Sequence, residues 1–154
     1  MRRGLMLGAL LLIAGAAQRA GGHEINLPPG PIRDRHELME KIGRNAKIIG
    51  DAMKAGKMGS ESGIGPAAME ISTSATKIPS LFPPGSTDPK SRAKPEIWSH
   101  WKTFEDNAKQ LEARATALAN EAAAGGNIPA KAQELFAVCK SCHDDFRKPE
   151  KEKK

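Results

Sequence analysis

The chain has 154 residues, 39% hydrophobic but only 4% aromatic, without tyrosine, and its 24 Lys and Arg against 18 Asp and Glu give a net charge of +6. Basic and acidic residues are interspersed and no aromatic-basic stripe accompanies them, so the composition gives no reason to expect nucleic acid as a partner. Without Arg2, Arg3 and Arg19 the net charge is +3, and much of that surplus lies in "KPEKEKK", which reads as a solvated tail over residues 149–154.

Arg2 and Arg3 precede an apolar run from Leu5 to Ala17, followed by small residues up to Ala20. Charge, a short hydrophobic stretch and a small-residue cleavage region make a secretory signal peptide over residues 1–22. A retained N-terminal anchor is the competing reading, but the run is short of the ~20 apolar residues a membrane span needs. No later segment is apolar enough to cross a bilayer, so the expectation is an exported, soluble protein without stable membrane insertion. Residues 23–148 are of a size for one domain with one core.

The remaining elements read as helices. No stretch alternates β-branched residues as a strand would. From Arg33 to Ala55, Met39, Ile42, Ala46, Ile49 and Met53 fall at steps of three or four, forming one apolar stripe. The glycines of "AGKMGSESGIG" break that period. A second, shorter helix is predicted from about Pro66 to Lys77, with Pro66 in its first turn. The proline-rich "PSLFPPGSTDPKSRAKP" then reads as a long ordered crossover. A third helix, Glu96 to Ala124, keeps Ile97, Trp101, Phe104, Ala108, Leu111, Ala115, Leu118 and Ala122 in phase and stops at Gly125 and Gly126. Asn127 caps a fourth, which tolerates Pro129 in its first turn and runs to about Arg147, before Pro149. Four amphipathic helices with a long crossover between the second and third predict an all-α, antiparallel four-helix bundle.

The only cysteines stand in "CKSCHDDFR". On a helix, Cys139, Cys142 and His143 share one face, so two thiols and an imidazole point toward one object. A disulfide across a two-residue gap would close a tiny loop and staple little. The thiol-redox use of C-x-x-C expects a βαβ setting, and structural zinc wants four ligands, for which only the scattered His23, His36 and His100 remain. Covalent haem uses the whole string: the thiols add to the two vinyl groups and the imidazole takes the iron from the same side. The other axial position then decides between electron transfer, with a thioether bound, and gas binding, with the site vacant. Spacing alone does not choose among Met6, Met39, Met53, Met58 and Met69, and a methionine on an apolar stripe is also ordinary core.

With "RHELMEKIGRN" on the first helix, "LFPPGST" in the crossover, "AKPEIW" opening the third helix and "CKSCHDDFR" near the C-terminus, nearly the whole mature chain resembles the class II c-type cytochromes, the cytochrome c′ and cytochrome c-556 group. The resemblance implies a periplasmic bundle with one haem c, held by Cys139 and Cys142, with His143 as proximal ligand. It places Arg147 near the proximal face, and it pairs Arg35 with a haem propionate, against the plainer reading of Arg35 as an exposed helix charge. His36 stands where many cytochromes c′ carry glutamine near the propionates; a partly exposed polar residue is the alternative. Trp98 matches a family position that bundle packing also explains. Met39 looks like the c-556 sixth ligand, whereas in cytochromes c′ the equivalent residue is often an apolar blocker, in some members itself a methionine, over a five-coordinate iron. The function implied is a non-enzymatic, single-electron carrier with His143 and Met39 bound. The alternative is a high-spin cytochrome c′ that binds nitric oxide or carbon monoxide. Redox proteins are the implied partners, and a homodimer through the first two helices, as in many relatives, is open to the chain.

Overall fold

The computed structural model describes residues 27–149; the signal-peptide stretch, Met6, His23 and residues 150–154 lie outside them. Five helices run in order: α1 Pro31–Lys54, α2 Ile64–Ala75, α3 Glu96–Ser99, α4 Trp101–Ala124 and α5 Ile128–Phe146. Single 3₁₀ turns occur at Ser60–Ser62 and Pro79–Leu81. Among the described residues there is no strand, only an isolated antiparallel bridge between Ala93 and Arg147. None of the described helices is long and apolar enough to cross a membrane.

The helix ends follow local chemistry. Pro31 opens α1, where its missing N–H is no loss. Gly63, at φ +79°, precedes α2, and Gly125, at φ +70°, ends α4 in the left-handed region that favours glycine. Asn127 caps α5 by accepting a hydrogen bond from the Ala130 N–H at 3.2 Å.

The predicted third helix is interrupted. His100 leaves helical geometry at φ −119°, ψ 41°, and its carbonyl accepts from the Phe104 N–H, so α3 is one turn that kinks into α4. The kink has a tertiary cause. Trp98 donates its indole N–H to the carbonyls of Phe82 and Pro83, both at 3.1 Å, which ties the turn to the crossover.

The periodic residues form the core. Ile49, Ile64, Ile71, Ile97, Leu118 and Leu135 are completely enclosed. Small residues let α2 and α4 come close: Gly65 has room for a Cβ at only 3.6 Å from Ala122. Between these helices the Ser72 and Thr116 hydroxyls hydrogen-bond at 2.8 Å. The packing is asymmetric. α2 lies against α1 and α4, and α4 against α5, whereas α1 and α5 scarcely approach one another.

Candidate functional site

The gap between α1 and α5 is a cavity of about 240 Å³. α5 turns Ala132, Leu135, Cys139, Cys142 and Phe146 inward at steps of three or four, so the two thiols continue the stripe that farther up the helix is plain core. Cys139, Cys142, His143 and Arg147 line the cavity from α5 and its C-terminal end. Met39, Ile42, Gly43 and Ala46 line it from α1, and Phe104, Asn107, Ala108 and Leu111 from α4.

A clamp fixes the end of α5. The Lys94 N–H donates to the Phe146 carbonyl and the Lys148 N–H to that of Arg92, flanking the Ala93–Arg147 bridge. The Lys94 ammonium reaches the carbonyls of Asp144 and Asp145 at 2.8 and 3.0 Å. These are orphan acceptors in the last turn of a helix, and a cation there also complements the helix dipole.

The two sulfurs are free, and burial raises the pKa of both. Cys142 is pushed up to about 11, mainly by burial and further by Cys139 and Asp145. Both are therefore protonated near neutral pH, unlike a reactive thiolate pair. The His143 pKa moves down, first through burial and then through the positive charges of Arg147 and Arg92. Its imidazole is held neutral, the form that offers a lone pair to a metal. Among the described residues no three His, Cys, Asp or Glu side chains gather into a metal site.

These features fit a haem. The cavity wall is almost entirely apolar, two thiols and a neutral imidazole face it, and a Cβ added at Gly43 would meet nothing within 4 Å. The sequence-predicted residues divide accordingly. Met39, Cys139, Cys142, His143 and Arg147 come together at the cavity. Arg35 and His36 are not among its lining residues. Arg35 is 4% exposed, so the exposed-charge alternative is wrong: its guanidinium donates to Ser86 Oγ, the Ser86 carbonyl and Ser91 Oγ, each at 2.9 Å, and stacks over Phe82 at 4.8 Å. His36 is half-buried with Nε2 3.4 Å from Glu40 Oε1 on the next turn.

Gly43 and Asn107 escaped the sequence reading. A glycine in a helix interior costs about 1 kcal/mol relative to alanine, which is a signal that space is needed there. Asn107 is a polar residue inside the period of Phe104, Ala108 and Leu111, and it marks where the α4 stripe meets the cavity.

An all-helical bundle that turns two cysteines and the histidine of a C-x-x-C-H string onto one apolar cavity has the arrangement that covalent haem attachment, the mark of the c-type cytochromes, requires. A family model described as Cytochrome C′ matches residues 30–147. The chain is 33% identical over 119 residues to a cytochrome c-556 from Agrobacterium tumefaciens (strain II Chrys), covering 77% of this chain and 97% of the relative. It is 30% identical over 117 residues to a cytochrome c′ from Rhodopseudomonas palustris (strain ATCC BAA-98 / CGA009), covering 75% and 80%. A solved cytochrome c′ with a ligand-controlled dimer dissociation superposes at a TM-score of 0.70 with 26% identity, over 80% of this chain and all of that one. The chain belongs to the cytochrome c′ family, whose members carry a covalently bound haem c. Family and fold support a monohaem, electron-carrying c-type cytochrome.

Proposed function

We propose that this protein is a periplasmic electron carrier in which Cys139 and Cys142 anchor the haem, His143 is the proximal ligand and Met39 the distal one. The reading is carried by one observation: the Met39 side chain, on α1, lines the same cavity as His143, on α5. When bound, the haem supplies a one-electron ferric/ferrous couple, and a thioether ligand raises its potential. The chain's own residues bind and insulate. Burial keeps the proton on both sulfurs before attachment, so the pair does not act as a thiolate couple. Burial first, and then the positive charges of Arg147 and Arg92, favour the unprotonated His143 imidazole that can serve as a ligand. Ile42, Phe104, Ala108 and Leu111 keep water from the cavity wall. Arg147 is the basic neighbour of the site; a role for Arg35 at a propionate would require its guanidinium to leave Ser86 and Ser91.

Export rests on the signal-peptide reading of residues 1–22. A homodimer through α1 and α2 is supported by Ile48 and Met69, the large apolar side chains most exposed among the described residues, at 46% and 47%. Sedimentation of the wild type beside an Ile48→Glu, Met69→Glu variant tests it: a monomeric wild type refutes the dimer.

Optical spectroscopy of the purified protein tests the ligation. Low-spin bands in both oxidation states, with a methionine-to-iron charge-transfer band that disappears in Met39→Ala, are expected. A high-spin spectrum at neutral pH refutes the reading. The likeness to a cytochrome c′ favours a second one: a five-coordinate site, with Met39 as a packed lid, that takes nitric oxide or carbon monoxide. Rapid stoichiometric binding of carbon monoxide to the reduced wild type would support it.

A further inference from the structure

The charge of the described chain is distributed unevenly. The segment 88–94 and the segment 140–148 are joined by the Ala93–Arg147 bridge and by hydrogen bonds linking Arg92 and Lys148 and linking Lys94 with Phe146. Together they carry six basic residues, Lys90, Arg92, Lys94, Lys140, Arg147 and Lys148, against three acidic ones, Asp88, Asp144 and Asp145. The rest of the described residues carry twelve basic and twelve acidic side chains. The whole net charge of +3 therefore falls on this one face, and the face stays positive when Glu96, the next charge along the chain, is counted with it.

Its geometry relates it to the cavity. Arg147 belongs both to the face and to the cavity lining, one helical turn from His143. Lys90, Lys140, Arg147 and Lys148 are exposed. Ion pairs occur both on the face, where Lys140 meets Asp144, and elsewhere, as in Lys41 with Glu70, Lys102 with Asp106 and Arg114 with Glu134, so it is the count of charges that sets the face apart. A local excess of one sign beside a reactive opening steers partners of the other sign and orients their approach.

We propose that the face formed by residues 88–94 and 140–148 is the docking surface for an acidic protein partner, presenting the cavity mouth to it. The proposal rests on the reading that electrons pass at this cavity. A protein surface suits the face better than an anionic bilayer. Its charges are interspersed with carboxylates, and the large exposed apolar side chains, Ile48 and Met69, lie on α1 and α2 and leave it without an anchor for lipid.

The test uses the haem-containing protein with a deca-glutamate peptide as the acidic probe, followed by calorimetry. Binding in about 20 mM salt should weaken roughly tenfold in about 200 mM salt, because exposed charges are screened beyond a Debye length. The double variant Lys90→Glu, Lys148→Glu should lose about tenfold or more in affinity. Lys54→Glu, Lys57→Glu, which changes net charge equally at the far end of α1, should lose less than about twofold. Equal losses in the two variants would overturn the proposal, since net charge alone would then explain binding. So would a wild type with no affinity for the peptide, or one that binds phosphatidylglycerol vesicles and loses them in Lys90→Glu, Lys148→Glu. Unchanged circular dichroism verifies that each variant is folded. Reduction by dithionite and reoxidation by hexacyanoferrate test the underlying reading separately. A protein that binds the peptide but does not cycle refutes electron transfer and leaves the binding face; one that cycles but does not bind refutes the face.

Discussion

Replacing Arg35 with methionine keeps an apolar stem of similar length and deletes the guanidinium, which isolates what that group does. In the wild type it makes three hydrogen bonds to Ser86 and Ser91 and stacks on Phe82. A hydrogen bond from a charged donor contributes about 1.5–3 kcal/mol, and a desolvated cation–π contact about 2 kcal/mol. Two effects oppose these gains. Burial costs the guanidinium, whose pKa it lowers, and Ser86 and Ser91 are only half-buried, so their oxygens can turn to water. The net loss should be about 2–4 kcal/mol, or a fall in Tm of roughly 10 °C for a domain this size. Thermal and urea unfolding of the haem-containing protein measure it, and faster proteolysis between residues 83 and 95 should accompany it. A loss below about 0.5 kcal/mol with unchanged proteolysis would refute a crossover-holding role. If stability is unchanged but the pH dependence of the reduction potential shifts, Arg35 acts on the haem carboxylates instead.

Two further outcomes are expected. Gly43→Ala should stabilise the haem-free chain by about 0.5–1 kcal/mol through helix propensity, with no protein atom in the way of the new Cβ; Gly43→Trp should fill the cavity and lower the haem content per chain, read from the ratio of Soret to protein absorbance. For Ser72 and Thr116, a double-mutant cycle with Ser72→Ala and Thr116→Val in urea should give a coupling of about 1 kcal/mol. Additive single losses would show that the hydroxyls act independently.

The residues that sequence reading placed well are those whose position depends on helical period alone. Met39, Cys139 and Cys142 fall on stripes that continue core residues, so their facing followed from spacing, and for the two cysteines the C-x-x-C-H string pointed to haem. Arg35 shows where period fails. Its burial depends on Ser86 and Ser91 arriving from the crossover, and nothing within a turn of α1 announces acceptors more than fifty residues away. The break at His100 has the same origin, since Trp98 bends the chain toward carbonyls that a local pattern does not contain. Gly43 was visible only as an unfavourable residue in a helix, and what it leaves open became apparent once α1 and α5 were placed apart.

The clamp around Lys94 has a consequence for how the site is adjusted. α5 stops where a segment about fifty residues upstream meets its last carbonyls, so the end of the helix that carries His143 is held by a loop as well as by its own packing. A change of length in the crossover would therefore be felt at the end of α5, and through it at His143, even though the two are far apart in the chain.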